Sequence, residues 1–355
     1  MSRPDARRLG IVNTGGTIGG ASRDGVVRTE NRGTRELAAW AAGSSFEVTK
    51  VVAPFERMSE NFLPSDWHTI ASCIHELAAE VDAVLVLHGT DTMAYTAAAC
   101  SFMLADLDAP VVFTGSNRGY DDLGSDGPTN VKAAIAALDR LERGVYVVFA
   151  GRHQVSAAIH VGTRVRKVQA GGSAYATIGS QPIGSVSIRG LVAIDRPIGL
   201  PKLPEIVTVP RVDPAEVVFA YSYPGLDYDF LRRGIASSPD VGGVVVVMYP
   251  SATVSVTPGR HSAPEFVAWC REQGLPVVAC NTMPPLYEFE DYESTRILKQ
   301  AGASVRTNIL PETAGVKLAW AAGLARDTPG IDALDVFGEQ VFGEFSAVQP
   351  ALGQM

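Results

Sequence analysis

The chain has 355 residues, 46% hydrophobic and 19% charged, an ordinary folded composition with material for two hydrophobic cores. A net charge of −8 at pH 7 with no long basic block argues against binding nucleic acid through the bulk field. No stretch has membrane-spanning length, and the charged residues 1–8 lead straight into an apolar pattern without a signal-peptide core. The four cysteines, Cys73, Cys100, Cys270 and Cys280, lack CxxC spacing and three lie in apolar patterns, so reduced core residues in a cytoplasmic protein are expected.

Residues 9–13 predict a first strand that stops at Thr14-Gly15-Gly16-Thr17-Ile18-Gly19-Gly20. Glycines let the backbone approach a ligand and turn with positive φ, but neither GxGxxG nor GK[ST] is present, so a purely structural turn competes. Residues 19–34 are polar, glycine-rich and too long for a simple connection, and read as a lid or as disorder. A short helix is expected at 34–40 and a strand at 48–53, followed by Ser59, Glu60 and Asn61 near its end; Ser65 and Asp66 open a helix that runs to residue 80. The continuous apolar run 83–87 has the signature of a buried parallel strand. It is cut off by His88-Gly89-Thr90-Asp91-Thr92, ahead of a helical pattern at 93–105. Ligands in open α/β sheets sit beyond the carboxyl ends of strands, which puts two hydroxyls and a carboxylate at a candidate crevice.

Strands at 110–114 and 145–150, with a helix at 128–141 between them, continue an alternation that predicts a right-handed parallel sheet flanked by helices. Short β segments follow from residue 156, one of them holding Arg164, Arg166 and Lys167. The proline-spaced stretch near 197–214 reads as a linker. The expected fold class is therefore α/β: a larger N-terminal domain at 1–200 with a mostly parallel sheet, a linker at 201–213, and a smaller C-terminal α/β domain at 214–355. The second domain is expected to hold strands at 217–221, 244–248 and 277–280 and helices at 263–273, 293–302 and 313–325. No repeat of solenoid period is visible.

The pair Thr14-Gly15-Gly16-Thr17-Ile18 and His88-Gly89-Thr90-Asp91-Thr92, at this separation, resembles the bacterial-type L-asparaginase family, including the related D subunit of glutamyl-tRNA(Gln) amidotransferase. The resemblance covers nearly the whole chain. Ser59-Glu60-Asn61, Thr114-Gly115-Ser116-Asn117-Arg118, Ser125-Asp126-Gly127, Val165-Arg166-Lys167 and Leu310-Pro311-Glu312-Thr313 support it. The first, fourth and last of these look closer to the D subunit, whose additional N-terminal domain has no counterpart in these residues.

The resemblance implies a cofactor-free amidohydrolase that releases ammonia from a small carboxamide through an acyl-enzyme on Thr14. Thr90, Asp91 and Lys167 match the family's second catalytic cluster. A hydroxyl at its free pKa needs a neighbouring base, and a lysine partly desolvated beside a carboxylate can pass a proton through Thr90. Ser59, Glu60, Gly89 and Ser116 are implied as substrate-binding, with the Thr90 N–H and the Gly115-Ser116 strand end as oxyanion contacts. The family builds its sites between subunits, so a homodimer or homotetramer is expected, with Glu288 and Glu290 as candidates for a glutamate supplied by the neighbour. The histidines His75, His153, His160 and His261 have no metal-ligand spacing, and no metal is expected. His88 is expected to be structural, and Lys167 has a solvated strand face beside Arg164 and Arg166 as its bland alternative.

Three departures from the family pattern bear on substrate and activation. Glu60 stands where asparaginases often have glutamine or serine and would repel a free α-carboxylate in a dry pocket; a solvated loop glutamate is the competing reading. The lid contains no tyrosine, so Tyr120, Tyr287 or a water would have to activate Thr14, or Thr90 and Lys167 would serve both steps. Tyr249-Pro250-Ser251-Ala252-Thr253-Val254 replaces the family's GxGN-type turn, pointing to an amide other than asparagine. An ammonia-generating amidotransferase component and a catalytically idle amino-acid-binding homologue are the alternative readings.

Overall fold

The computed structural model describes residues 6–23, 26–29, 39–120, 122–151, 156–170, 173–187, 189–196, 204–205, 207, 210–284 and 292–347. The chain forms two compact units, one of residues 1–177 and 181–201, the other of residues 178–180 and 202–355.

The first unit holds strands β1 (Arg7–Asn13), β2 (Gly20–Arg23), β3 (Val26–Thr29), β4 (Phe46–Val52), β5 (Ala83–Leu87), β6 (Pro110–Thr114), β7 (Gly144–Ala150), β8 (Ser156–Val161), β9 (Val165–Ala170), β10 (Ser173–Thr177), β11 (Gly184–Ser187) and β12 (Val192–Ile194). Its helices are α1 (Pro64–Ala78), α2 (Met93–Met103) and α3 (Gly127–Leu138). Eight strands make one sheet in the order β12-β11-β8-β7-β6-β5-β1-β4. The pairs linking β4, β1, β5, β6 and β7 are parallel, and those from β7 outward to β12 antiparallel. Every residue of β5 and β6 is buried, as the unbroken apolar runs of these central strands require. Gly10 lets α1 settle on β1, because a Cβ there would lie 2.5 Å from the Leu77 side chain.

The sheet order locates the crevice. The chain leaves β1 for β4 on one side and then crosses over to β5 on the other, so the strand order reverses at β1. Such a reversal opens a cleft beyond the carboxyl ends of the two strands flanking it. Here those ends are Thr14 after β1 and His88 to Thr92 after β5.

The stretch expected as an irregular lid contains an antiparallel hairpin of β2 and β3, whose four-residue strands are too short to show periodicity in the sequence. Residues 30–38, with most of the helix expected at 34–40, lie outside the described residues.

The second unit is a parallel sheet in the order β13 (Glu216–Tyr221), β14 (Val241–Met248), β15 (Val277–Asn281), β16 (Ser304–Val305). Helices α4 (Tyr228–Ala236), α5 (Ala263–Glu272), α6 (Glu293–Gln300), α7 (Pro311–Asp327) and α8 (Ala333–Gly338) accompany it. Val244, Val246, Phe266, Val267 and Leu298 belong to one buried cluster. Helix α4 is absent from the sequence expectation: only Tyr228 and Ile235 are buried on it, too few to mark a periodic face, although Asp227 caps it by accepting from Asp229 N–H and Phe230 N–H. Helix α7 begins at Pro311 with Glu312 in its first turn, and the short α8 follows it, so α7 is not the last helix. Lys317 on α7 is fully buried and donates to the Glu344 carboxylate and the Glu339 carbonyl.

None of the four cysteines is in a disulfide: Cys100, Cys270 and Cys280 are buried and Cys73 is half-buried. Among the described residues no helix is long and apolar enough to cross a membrane.

Candidate active site

Thr14 is fully buried at the end of β1, where its N–H and its Oγ1 both donate to the Leu87 carbonyl at 3.0 Å. The two residues after it take φ of +92° and +78°, which glycine adopts without strain. The Asn13 side chain accepts the Gly15 N–H at 3.1 Å, and the Arg57 carbonyl accepts the Gly16 N–H at 3.1 Å. A Cβ on Gly16 would lie 2.4 Å from the Cα of Gly89, and one on Gly89 would lie 2.6 Å from Ser59 Oγ. Three segments distant in sequence therefore meet at van der Waals contact, with no room for a side chain at either glycine.

Ser59 opens the 3-10 turn Ser59–Asn61 and is buried, and its carbonyl accepts the Thr92 hydroxyl at 2.8 Å. Glu60, on the same turn, is exposed and has no ion-pair partner among the described residues. Ser116 is buried after β6 and donates to the Arg118 carbonyl. The neighbouring Gly115 is required by close packing, since a Cβ there would lie 2.4 Å from the His88 carbonyl oxygen. Asn130 ties the ends of β6 and β7 by donating to the Gly115 carbonyl and accepting the Ala150 N–H, each at 2.8 Å.

Thr90 carries the chemistry-bearing cluster. Lys167, on β9, donates to Thr90 Oγ1 at 2.8 Å and to Asp91 Oδ1 at 2.6 Å. The lysine side chain is 18% exposed and the aspartate 61%, so one end of the pair is sheltered and the other wet. Tyr175, buried on β10 and paired in register with Lys167, donates its hydroxyl to the Thr90 carbonyl. Burial, and then the charge of Asp91, push the Tyr175 hydroxyl well above its ordinary pKa, which keeps it a donor. Sequence reasoning missed Tyr175. The available signal was Gly171-Gly172 between two β-rich runs, a hairpin mark that sets the flanking residues side by side.

His88 is fully buried, with Phe62 edge-on at 5.0 Å and Phe113 at 5.9 Å. Its Nδ1 bonds the Gly89 carbonyl at 2.7 Å, and burial pushes its pKa from 6.5 down to about 4. The ring is neutral at pH 7. Tyr120 stacks on Trp40 at 3.9 Å between ring centroids. Tyr287, Glu288 and Glu290 lie outside the described residues.

Residues 8–197 match the family described as Asparaginase, N-terminal. The chain belongs to the asparaginase family. Several curated relatives carry the name of the D subunit of glutamyl-tRNA(Gln) amidotransferase: that of Methanothermobacter thermautotrophicus is 28% identical over 97% of this chain and 78% of its own length. The Saccharolobus islandicus protein of the same name is 30% identical over 94% of this chain and 76% of its own. Among solved structures, the thermostable L-asparaginase from Thermococcus kodakarensis superposes with a TM-score of 0.75 at 27% identity, over 96% of this chain and 99% of that one. L-asparaginase I from Vibrio cholerae superposes with a TM-score of 0.73 at 25% identity, over 96% of this chain and 100% of that one. The large, mostly parallel sheet and the smaller C-terminal parallel sheet are thus the two halves of an asparaginase-family fold.

Proposed function

We propose that this member of the asparaginase family is an amidohydrolase that cleaves a small carboxamide through an acyl-enzyme on Thr14 and releases ammonia. The observation that carries the reading is the contact of Lys167 with both Thr90 Oγ1 and Asp91, at the strand end next to the one that bears Thr14. Thr14 Oγ1 attacks the amide carbon after its hydrogen turns away from the Leu87 carbonyl. Its proton ends on the departing nitrogen, relayed by Thr90, whose hydroxyl Lys167 orients and polarises. The Thr90 N–H stabilises the oxyanion. Water then attacks the ester, and its proton returns to Thr14 as the acid leaves. Ser59, Gly89 and Ser116 line the substrate, and Asp91 with the exposed Glu60 favours a cationic end over a free carboxylate at that edge.

The reading takes the protein to be cytoplasmic and to work as a homodimer or homotetramer in which Glu288 or Glu290 reaches the neighbour's site. Solution scattering checks the assembly, and a monomer contradicts it. The main test is ammonia release from a panel of asparagine, glutamine, asparaginyl peptides and other small amides, with Thr14→Ala as the inactive control.

The names of the curated relatives favour a second reading, in which the chain supplies ammonia to a partner that consumes it. Glutaminase activity that appears only with a co-purifying partner supports that reading; full activity of the chain alone removes the need for it.

A further inference from the structure

Thr90 stands between two peptides that are each fixed through their carbonyl oxygen. The Gly89 carbonyl is bonded by His88 Nδ1 at 2.7 Å, and the Thr90 carbonyl accepts the Tyr175 hydroxyl. A residue has two soft dihedrals, one turning it against the peptide before it and one against the peptide after it. With both peptides fixed, the Thr90 side chain leaves the backbone in one direction, and along that direction Oγ1 meets Lys167 Nζ at 2.8 Å. Solvent cannot stand in for either donor, because His88 is 0% and Tyr175 2% exposed.

Packing does not explain the histidine. A carbonyl only accepts, so Nδ1 carries the ring hydrogen, and the ring is neutral because burial lowers its pKa to about 4. The bare Nε2 is buried with no partner among the described residues. An unpartnered buried nitrogen costs stability that an apolar side chain between Phe62 and Phe113 would avoid. What the histidine adds is its bond to Gly89. The described chain has no cis peptide, so the Thr90 N–H points opposite to the Gly89 carbonyl, away from the ring. That N–H has no acceptor among the described residues although Thr90 is only 8% exposed, the condition of a donor kept for a ligand.

We infer that His88 and Tyr175 are positioning residues for Thr90, fixing the direction of its hydroxyl and of its N–H without touching substrate. The inference rests on the reading of Thr90 as proton relay and oxyanion donor. It adds to that reading two residues that act only through Thr90.

The test compares the whole chain with Tyr175→Phe, His88→Leu and His88→Asn on an amide that the parent protein hydrolyses. Tyr175→Phe removes one oxygen and keeps the ring packed on Phe149, 5.0 Å away. Its kcat falls about tenfold while KM stays within about twofold and the thermal midpoint holds. His88→Leu behaves alike, and His88→Asn, which carries a donor nitrogen in the place of Nδ1, recovers most of the loss. Parent-like kcat in Tyr175→Phe and His88→Leu overturns the inference, as does a loss that only tracks unfolding, or His88→Asn as slow as His88→Leu. Should the parent protein hydrolyse no amide, the reading of the site fails first, and a crystal structure of Tyr175→Phe decides the inference separately. Thr90 Oγ1 then moves out of hydrogen-bond reach of Lys167 Nζ, or it stays at 2.8 Å and the inference is wrong.

Discussion

The Cα of Gly89 occupies the space that a side chain on Gly16 would need, since a Cβ there would stand 2.4 Å from it. This approach lets the turn after β1 and the turn after β5 touch at backbone level, which sets Thr14 and Thr90 on facing turns of one cleft. It also explains why the first threonine motif carries glycine at that point, since the obstacle to Gly16 is main chain and cannot rotate away.

Gly16→Ala therefore meets both an obstacle and a φ of +78°. We expect a loss of about 2–4 kcal/mol in urea unfolding, and no ammonia release, because overpacking and backbone strain add. Gly43→Ala separates the two effects: φ is +84° there, but nothing lies within 4 Å of the new Cβ. It should cost about 1 kcal/mol. Equal losses at the two positions would mean that the close approach is not what Gly16 serves.

Lys167→Met should lower kcat by about 100-fold or more if the lysine drives the Thr90 relay. Stability should hardly change, because the pair with the 61% exposed Asp91 contributes at most about 1 kcal/mol. Steady-state kinetics and a thermal melt on one preparation read both quantities. A variant that melts far earlier and turns over normally would place Lys167 in a structural role.

His88 and His160 are both buried, and burial brings the pKa of each from 6.5 to about 4. The folded values lie below the unfolded ones, so the unfolded chain binds more protons once the pH drops under about 6.5. The stability that the neutral rings represent is whole above that pH and is lost as it falls toward 4, at about 1.4 kcal/mol per pH unit for each ring. Asp82 and Asp327, whose pKa values lie below the ordinary 3.8 chiefly through bonds from Arg8 and Arg326, act at lower pH and leave this window clear. Urea midpoints between pH 7 and 5 test it. His160→Asn, which leaves a donor for Thr177 Oγ1, should flatten the slope, and an unchanged slope would show that His160 titrates normally.

The buried pair of Lys317 and Glu344 gives a prediction for the second unit. Lys317→Met leaves the Glu344 carboxylate in a dry site, where among the described residues it accepts the backbone N–H groups of Val341 and Phe342 alone. A loss of about 3–5 kcal/mol in urea unfolding is expected. Lys317→Met with Glu344→Gln removes the stranded charge and keeps an acceptor for those groups, so it should recover part of the loss. A double variant as unstable as the single one would show that the deficit is steric.

Much of this was legible because the central strands are buried on both faces. A run such as 83–87 is too short for a buried helix and rich in valine and leucine, and the glycine-bounded polar turn after it marks a strand end. Thr14, Ser59, Thr90 and Lys167 could be picked out because each stands in a short motif. The contacts of Lys167 with Thr90 and Asp91 were implied by the resemblance and not by spacing, since Thr90 and Lys167 come from different elements that meet only in the fold. Tyr175 was missed because its bond goes to a main-chain oxygen, and its marks in the sequence are no more than the Gly171-Gly172 pair and an aromatic in a β-rich run. The β2-β3 hairpin and α4 were missed because four-residue strands and a two-residue apolar face fall below what periodicity resolves.

The central claim, that Thr14 carries the acyl group, is tested most directly by incubating the parent chain and Thr14→Ala with the amide panel, following ammonia and intact mass together. The account predicts ammonia from at least one amide, a mass increase equal to the acyl group on the parent protein under rapid quench, and neither with Thr14→Ala. Ammonia release by Thr14→Ala at the parent rate, or none from any amide with the parent protein, would contradict it.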